Sequence, residues 1–144
     1  MRRKVKSDAQ AYLEQVEKHD AIIKCKLIEK QQWKDIALGI TANMDGERVQ
    51  SSGAKSKMAE AVAKCVDMEC EIDSMIDKLI DLKKEVTEVI EQVDSPTRYK
   101  LLHMRYIQFI PLVEIAAEWD TEYTNVTTEH GRALKDVQWI LDKN

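Results

Sequence analysis

Residues 58 to 93 read MAEAVAKCVDMECEIDSMIDKLIDLKKEVTEVIEQV, and the spacing of their apolar side chains decides the fold. Met58, Ala61, Cys65, Met68, Ile72, Met75, Leu79, Leu82, Val86, Val89 and Val93 follow one another at alternating steps of three and four. That interval sets them on one stripe of an α-helix about 50 Å long, at roughly 1.5 Å per residue. Glu and Lys fill most positions between them. A seam of that length must be covered, and the shape of the cover is another helix.

The covering helix is predicted upstream, from about Asp8 to Asn43. Val5, Ala9, Tyr12, Val16, Ile23, Trp33, Ala37, Ile40 and Met44 follow the same spacing less strictly, with Lys26 and Lys30 interrupting the stripe. Charge supports pairing the two. Residues 1 to 57 carry a net +4, residues 58 to 95 a net −7 and residues 96 to 144 a net −1. Opposite charge favours the two segments packing together, and like charge disfavours two acidic copies. The sequence thus predicts an antiparallel hairpin within one chain, on which a homo-oligomer can be built.

Between these helices lies MDGERVQSSGAKSKM, residues 44 to 58. Gly46 and Gly53 are suited to positive φ, and Ser56 is suited to capping the second helix. The segment is longer than the roughly two to eight residues usual between bundle helices. Arg48, Lys55 and Lys57 therefore stand as candidate contacts for phosphate or a partner, beside the plainer reading as a connector.

Composition agrees with an all-α chain. One-third of the 144 residues are charged, aromatics make up 6%, and there are only four glycines and two prolines. Cys25, Cys65 and Cys70 are odd in number and lack metal-ligand spacing, so buried thiols are expected rather than disulfides or zinc. No apolar run reaches the roughly 18 residues of a membrane span. The opening MRRKVKSDAQ lacks the apolar core of a signal peptide, so the expected location is the cytoplasm.

After Val93 the heptad stops and three shorter helices are predicted. Ser95 and Pro96 form a cap and first-turn pair for a helix ending near Phe109. Pro111 opens a second through Trp119, and a third follows DTE to about Leu141. Their apolar faces are Tyr99, Leu102 and Tyr106; then Leu112, Ile115, Ala116 and Trp119; then Val126, Ala133, Leu134, Val137 and Leu141. Two compact helices on a short turn, the second with a polar face, are what a helix-turn-helix requires. The outward residues are Tyr123, Thr124, Asn125, Thr127, Thr128, Arg132 and Lys135, the candidate contacts to double-stranded DNA. Asn pairs bidentately with adenine, Thr touches a thymine methyl, and Arg or Lys anchors phosphate.

YKLLHMRYI, LVEIAAEW and NVTTEHGRAL resemble, in order and spacing, the C-terminal helix-turn-helix of sigma factors. The likeness is closer still to small phage-encoded transcription regulators of the ArpU and RinA kind, in which a similar GxRVQSSG segment precedes an acidic helix like VDMECEIDSMIDKLIDLKKEV. It covers nearly the whole chain and implies an activator of phage or prophage late operons, with host RNA polymerase as a further contact. It places Arg105 and Tyr106 at the end of a scaffold helix, Ile115 and Ala116 in the supporting helix, and His130 to Leu134 in the recognition helix. The chain departs from that pattern at Glu122, where Ser is usual.

Rival readings stand beside this one: a DNA-packaging subunit of the small-terminase kind, and a helical protein that binds or inhibits another protein without touching DNA. The third C-terminal helix reads equally as an amphipathic helix closing a small bundle. His130 reads as a packed or hydrogen-bonded side chain. Glu69, Glu71, Asp73, Asp77, Asp81 and Glu85 lie largely off the seam and alternate with lysines, which marks a solvated face rather than a metal site. No phosphate loop, paired-His motif or nucleophile elbow occurs, so no enzyme, cofactor or metal is expected.

Overall fold

The structure is a computed structural model that describes residues 7–46 and 52–144, with side chains described for 7–39 and 55–144. Every element it holds among those residues is helical. In order they are α1 (Asp8–Gly46), α2 (Ser52–Glu91), α3 (Pro96–Leu102), α4 (Leu112–Glu118) and α5 (Tyr123–Lys143), and α3 widens into a π-helical turn over His103–Ile107. The long helices pack on each other as their seams require. Two compact units result, one of residues 20–78 and one joining residues 7–19 to 79–144.

In the unit of residues 20–78 the seam buries Ile23, Ala37, Ala61, Met68 and Ile72. Lys26 and Lys30, the two interruptions, are half-buried and reach across the helix pair. The Lys26 ammonium lies 3.2 Å from Glu71, and that of Lys30 lies 3.8 Å from Glu69. Numbers that rise on α1 as they fall on α2 mark the pairing as antiparallel. A lysine on a helix-packing stripe keeps its head near water while its methylenes cover the seam, so the break in the pattern is tolerated.

Two expectations are corrected here. Cys25 and Cys70 are exposed and Cys65 is half-buried, so the thiols are not core residues. Cys25 stands two positions beyond buried Ile23, and Cys70 two beyond buried Met68. At about 100° per residue each therefore points away from the seam, and only Cys65 lies on it. The connector is also shorter than predicted, because α1 continues through Gly46 and α2 begins at Ser52. Gly53 and Ser56 are thus helical, Ser56 caps nothing, and no described glycine has positive φ. Arg48 lies outside the described residues.

The other unit has two core clusters, the larger fed by α1, α2, α3, the π-turn and α5. Ala9, Leu13 and Val16 of α1 and Val86, Val89 and Ile90 of α2 pack with Leu102, Tyr106 and Ile107, and with Ala133, Val137 and Ile140 of α5. A second cluster, Leu101, Met104, Ile115, Ala116 and Val126, fixes α4 between the π-turn and α5. The Ser95 side chain accepts from the Arg98 backbone N–H at 3.4 Å with Pro96 at the first helical position, as the cap signal predicted. The π-turn is closed by Gln108 N–H donating to the His103 carbonyl at 3.0 Å, and Phe109 then reverses the chain at φ 62°.

Candidate nucleic-acid interface

Residues 119 to 122 form the turn between α4 and α5. The Thr121 N–H donates to the Ala116 carbonyl at 3.0 Å, and the Asp120 N–H to that of Ala117 at 3.2 Å. This nested pair ends a helix in the manner of a Schellman motif, which needs a left-handed residue at its centre. Asp120 supplies it at φ 50°. Asp tolerates that region better than most residues because its short side chain bonds locally, though glycine is the usual choice. The consequence is a sharp, backbone-defined angle between a seven-residue helix and the 21-residue α5.

The residues that the sequence reading named lie on α5, all but Lys135 in its first half. Tyr123, Thr124, Asn125, Thr128, Arg132 and Lys135 are exposed, and Thr127 is half-buried. Several are held by local bonds that sequence reasoning did not foresee. Asn125 Nδ2 donates to Thr121 Oγ1 at 3.1 Å, and the hydroxyls of Thr127 and Thr128 both donate to the Thr124 carbonyl. That bond uses one of the two amide hydrogens, so Asn125 can offer the other together with its Oδ1 while still holding Thr121. Lys55 and Lys57 are exposed on the first turns of α2, in the unit of residues 20–78.

Arg132 is the other engaged residue. Its Nη1 lies 2.6 Å from Glu129, and Glu129 also takes the Nε of Arg98 at 3.2 Å. Arg98 Nη1 completes the chain on Asp136 at 2.9 Å. Arg132 first, then Arg98, hold the Glu129 carboxyl below its ordinary range, and Asp136 with Glu129 keeps the Arg98 proton more firmly bound than usual. Arg98 thus ties α3 to α5 directly behind the exposed row. An anion reaching Arg132 therefore meets a guanidinium whose Nη1 is already given to Glu129.

Beneath the row, Tyr106 Oη and His130 Nε2 are 2.6 Å apart and their rings stack with centroids separated by 5.7 Å. Burial lowers the His130 pKa, with the nearby Arg105 charge adding to the effect and Glu14 opposing it. Burial also raises that of Tyr106. A neutral imidazole held by a phenol is a structural joint between the π-turn and α5. Arg105 itself reaches Glu17 of α1 at 3.2 Å.

Trp119 packs under the turn with Lys100 Nζ 5.7 Å from its ring centroid. Its indole Nε1 is buried with no partner among the described residues. Beside it Thr97, Thr121, Asn125, Val126 and Glu129 line a cavity of about 250 Å³. Sequence patterning had no signal for the roles of Arg98 or Asp120, since each depends on a contact or a dihedral rather than a period. Comparison with protein-family models, curated proteins and solved structures gives no match. Among the described residues no group of three or more His, Cys, Asp or Glu side chains is placed to hold a metal ion, and no helix is long and apolar enough to cross a membrane.

Proposed function

We propose that the chain is a DNA-binding transcription regulator that presents the first half of α5 to the major groove. The observation that carries this reading is the α4–α5 turn, a backbone-capped corner at Asp120 followed by an exposed row of Tyr, Thr and Asn. A recognition helix needs both features: a fixed entry angle and short polar side chains at its N-terminal end. Asn125 is assigned to base reading, Thr124 and Thr128 to groove contact, and Arg132 and Lys135 to phosphate. The resemblance to phage regulators of the ArpU and RinA kind adds late-gene activation, with host RNA polymerase as the second contact. Tyr106 and His130 are buried and have a structural role, so the reading assigns no catalysis.

Affinity is expected to be low without help, because residues 96–144 are net −1 and phosphate neutralisation supplies most non-specific binding. Titration of a labelled duplex at low salt, alone and with RNA polymerase, tests the proposal. Binding that falls with salt and strengthens with polymerase is the expected result. Absence of binding in both arms would favour the protein-binding reading. That reading has its own support in the unit of residues 20–78, where Leu27, Ile28, Leu38, Val62 and Val66 are exposed. Exposed apolar side chains on a helix pair suit association with a second chain.

A further inference from the structure

The last turns of α5 build a second feature beside the exposed row. Asn125, Thr128, Arg132, Lys135 and Trp139 follow at steps of three and four, so they share one stripe of the helix. Trp139 stands about 10 Å beyond Arg132 at roughly 1.5 Å per residue. It is 64% exposed, although an indole is among the costliest side chains to leave in water. Next to it lies a cleft of about 240 Å³ at the corner between α2 and α3.

The chemistry of that cleft is acidic and aromatic. Val93 and Ile140 are its buried apolar residues, Trp139 lines it, and Asp94 and Asp136 contribute carboxylates. Asp94 is exposed and makes no hydrogen bond or ion pair with a described residue. The cation in the lining, Arg98, already gives its Nη1 to Asp136 and its Nε to Glu129. Within the lining, one cation that is already paired stands against the two carboxylates of Asp94 and Asp136. Within the chain, Lys143 Nζ lies 4.8 Å from the Trp139 ring centroid, so the indole face already meets one cation.

We propose that this cleft docks an arginine side chain of a protein partner. A guanidinium stacks on an indole face and donates in parallel to a carboxylate, and Trp139 with Asp94 offers that pair of surfaces. A lysine satisfies the charge without the stacking or the paired donors, so arginine is preferred. A nucleic acid fits poorly, because phosphate meets Asp94 and Asp136. Tryptophan in a partly enclosed pocket beside a charged partner is also the composition of interface hot spots. The partner would stand at the end of α5 beyond Arg132, leaving the Tyr123–Thr128 end for another ligand.

The test is a nuclear magnetic resonance titration of the full, isotope-labelled chain with the peptide acetyl-Gly-Arg-Gly-amide. Saturable shifts of the Trp139 indole N–H and the Asp94 amide are expected, with the indoles of Trp33 and Trp119 unmoved. The same peptide with citrulline in place of arginine, which keeps the shape and loses the charge, should bind about tenfold more weakly. Asp94→Asn, an exposed substitution outside any helix, should weaken the arginine peptide by about fivefold while leaving the spectrum otherwise that of the folded chain. The proposal is overturned if the arginine peptide shifts neither signal up to its solubility limit, or if citrulline binds as well. It is overturned too if a single-stranded thymidine oligonucleotide moves the Trp139 indole and the peptide does not.

Discussion

Tyr106 and His130 sit 2.6 Å apart, oxygen to nitrogen, in the core that joins the π-turn to α5. Tyr106→Phe removes the hydroxyl and leaves the His130 nitrogen buried without that partner. A loss of about 1–3 kcal/mol in unfolding free energy is expected, read from urea denaturation at neutral pH. A double-mutant cycle with His130→Gln should show coupling, since each residue acts through the other. Additive losses would mean the two contribute only by packing.

The same pair sets a pH dependence. The His130 pKa is lowered in the folded state, so between that value and the ordinary value near 6.5 the unfolded chain binds more protons than the folded one. Stability is therefore fully present above about pH 6.5 and declines as pH falls through the folded pKa. Melting temperatures measured from pH 8 to about pH 5 should fall in the lower half of that range. In His130→Gln the decline should be much reduced.

Asp120 tests the turn. Asp120→Gly keeps the left-handed backbone without a Cβ and should leave the melting temperature unchanged or slightly raised. Asp120→Val places a β-branched residue at φ 50° and should cost about 1–2 kcal/mol. Equal effects of the two would mean that this dihedral does not define the corner.

Lys26 and Glu71 test the hairpin. Lys26→Glu opposes two carboxylates across α1 and α2 and should lower stability by under about 1 kcal/mol at low salt, because both side chains are partly exposed. Adding Glu71→Lys should restore most of the loss. If the double variant is no better than the single, the facing of these two residues is wrong.

Much of this architecture was legible in the sequence because it is periodic. The seam from Met58 to Val93, the Ser95 cap and the apolar faces of α4 and α5 follow from spacing and from one or two strongly signalling residues. One periodic residue was missed, Ile140, buried at heptad spacing from Val126 and Ala133 where Leu141 was named, and the rest of what escaped was aperiodic. Leu13 lies beside the stripe, yet it is fully buried because the C-terminal helices cover that side of α1, a contact more than eighty residues away in sequence. The π-turn, the left-handed Asp120 and the bonding of Arg132 to Glu129 are tertiary outcomes with no local signature. The start of α2 was misplaced because glycines and serines read as loop, while the helix begins at Ser52 despite them.

The central claim is that the N-terminal half of α5 reads DNA sequence, and selection from a random duplex pool tests it most directly. Run at low salt with and without RNA polymerase, it should enrich one motif for the native chain. On that motif Asn125→Ala should cost about 1–3 kcal/mol and blur preference at one base pair. Arg132→Ala should weaken all sequences alike and reduce the salt slope by about one. A pool that enriches no motif under either condition, or a motif that Asn125→Ala binds with unchanged affinity and preference, would contradict the account.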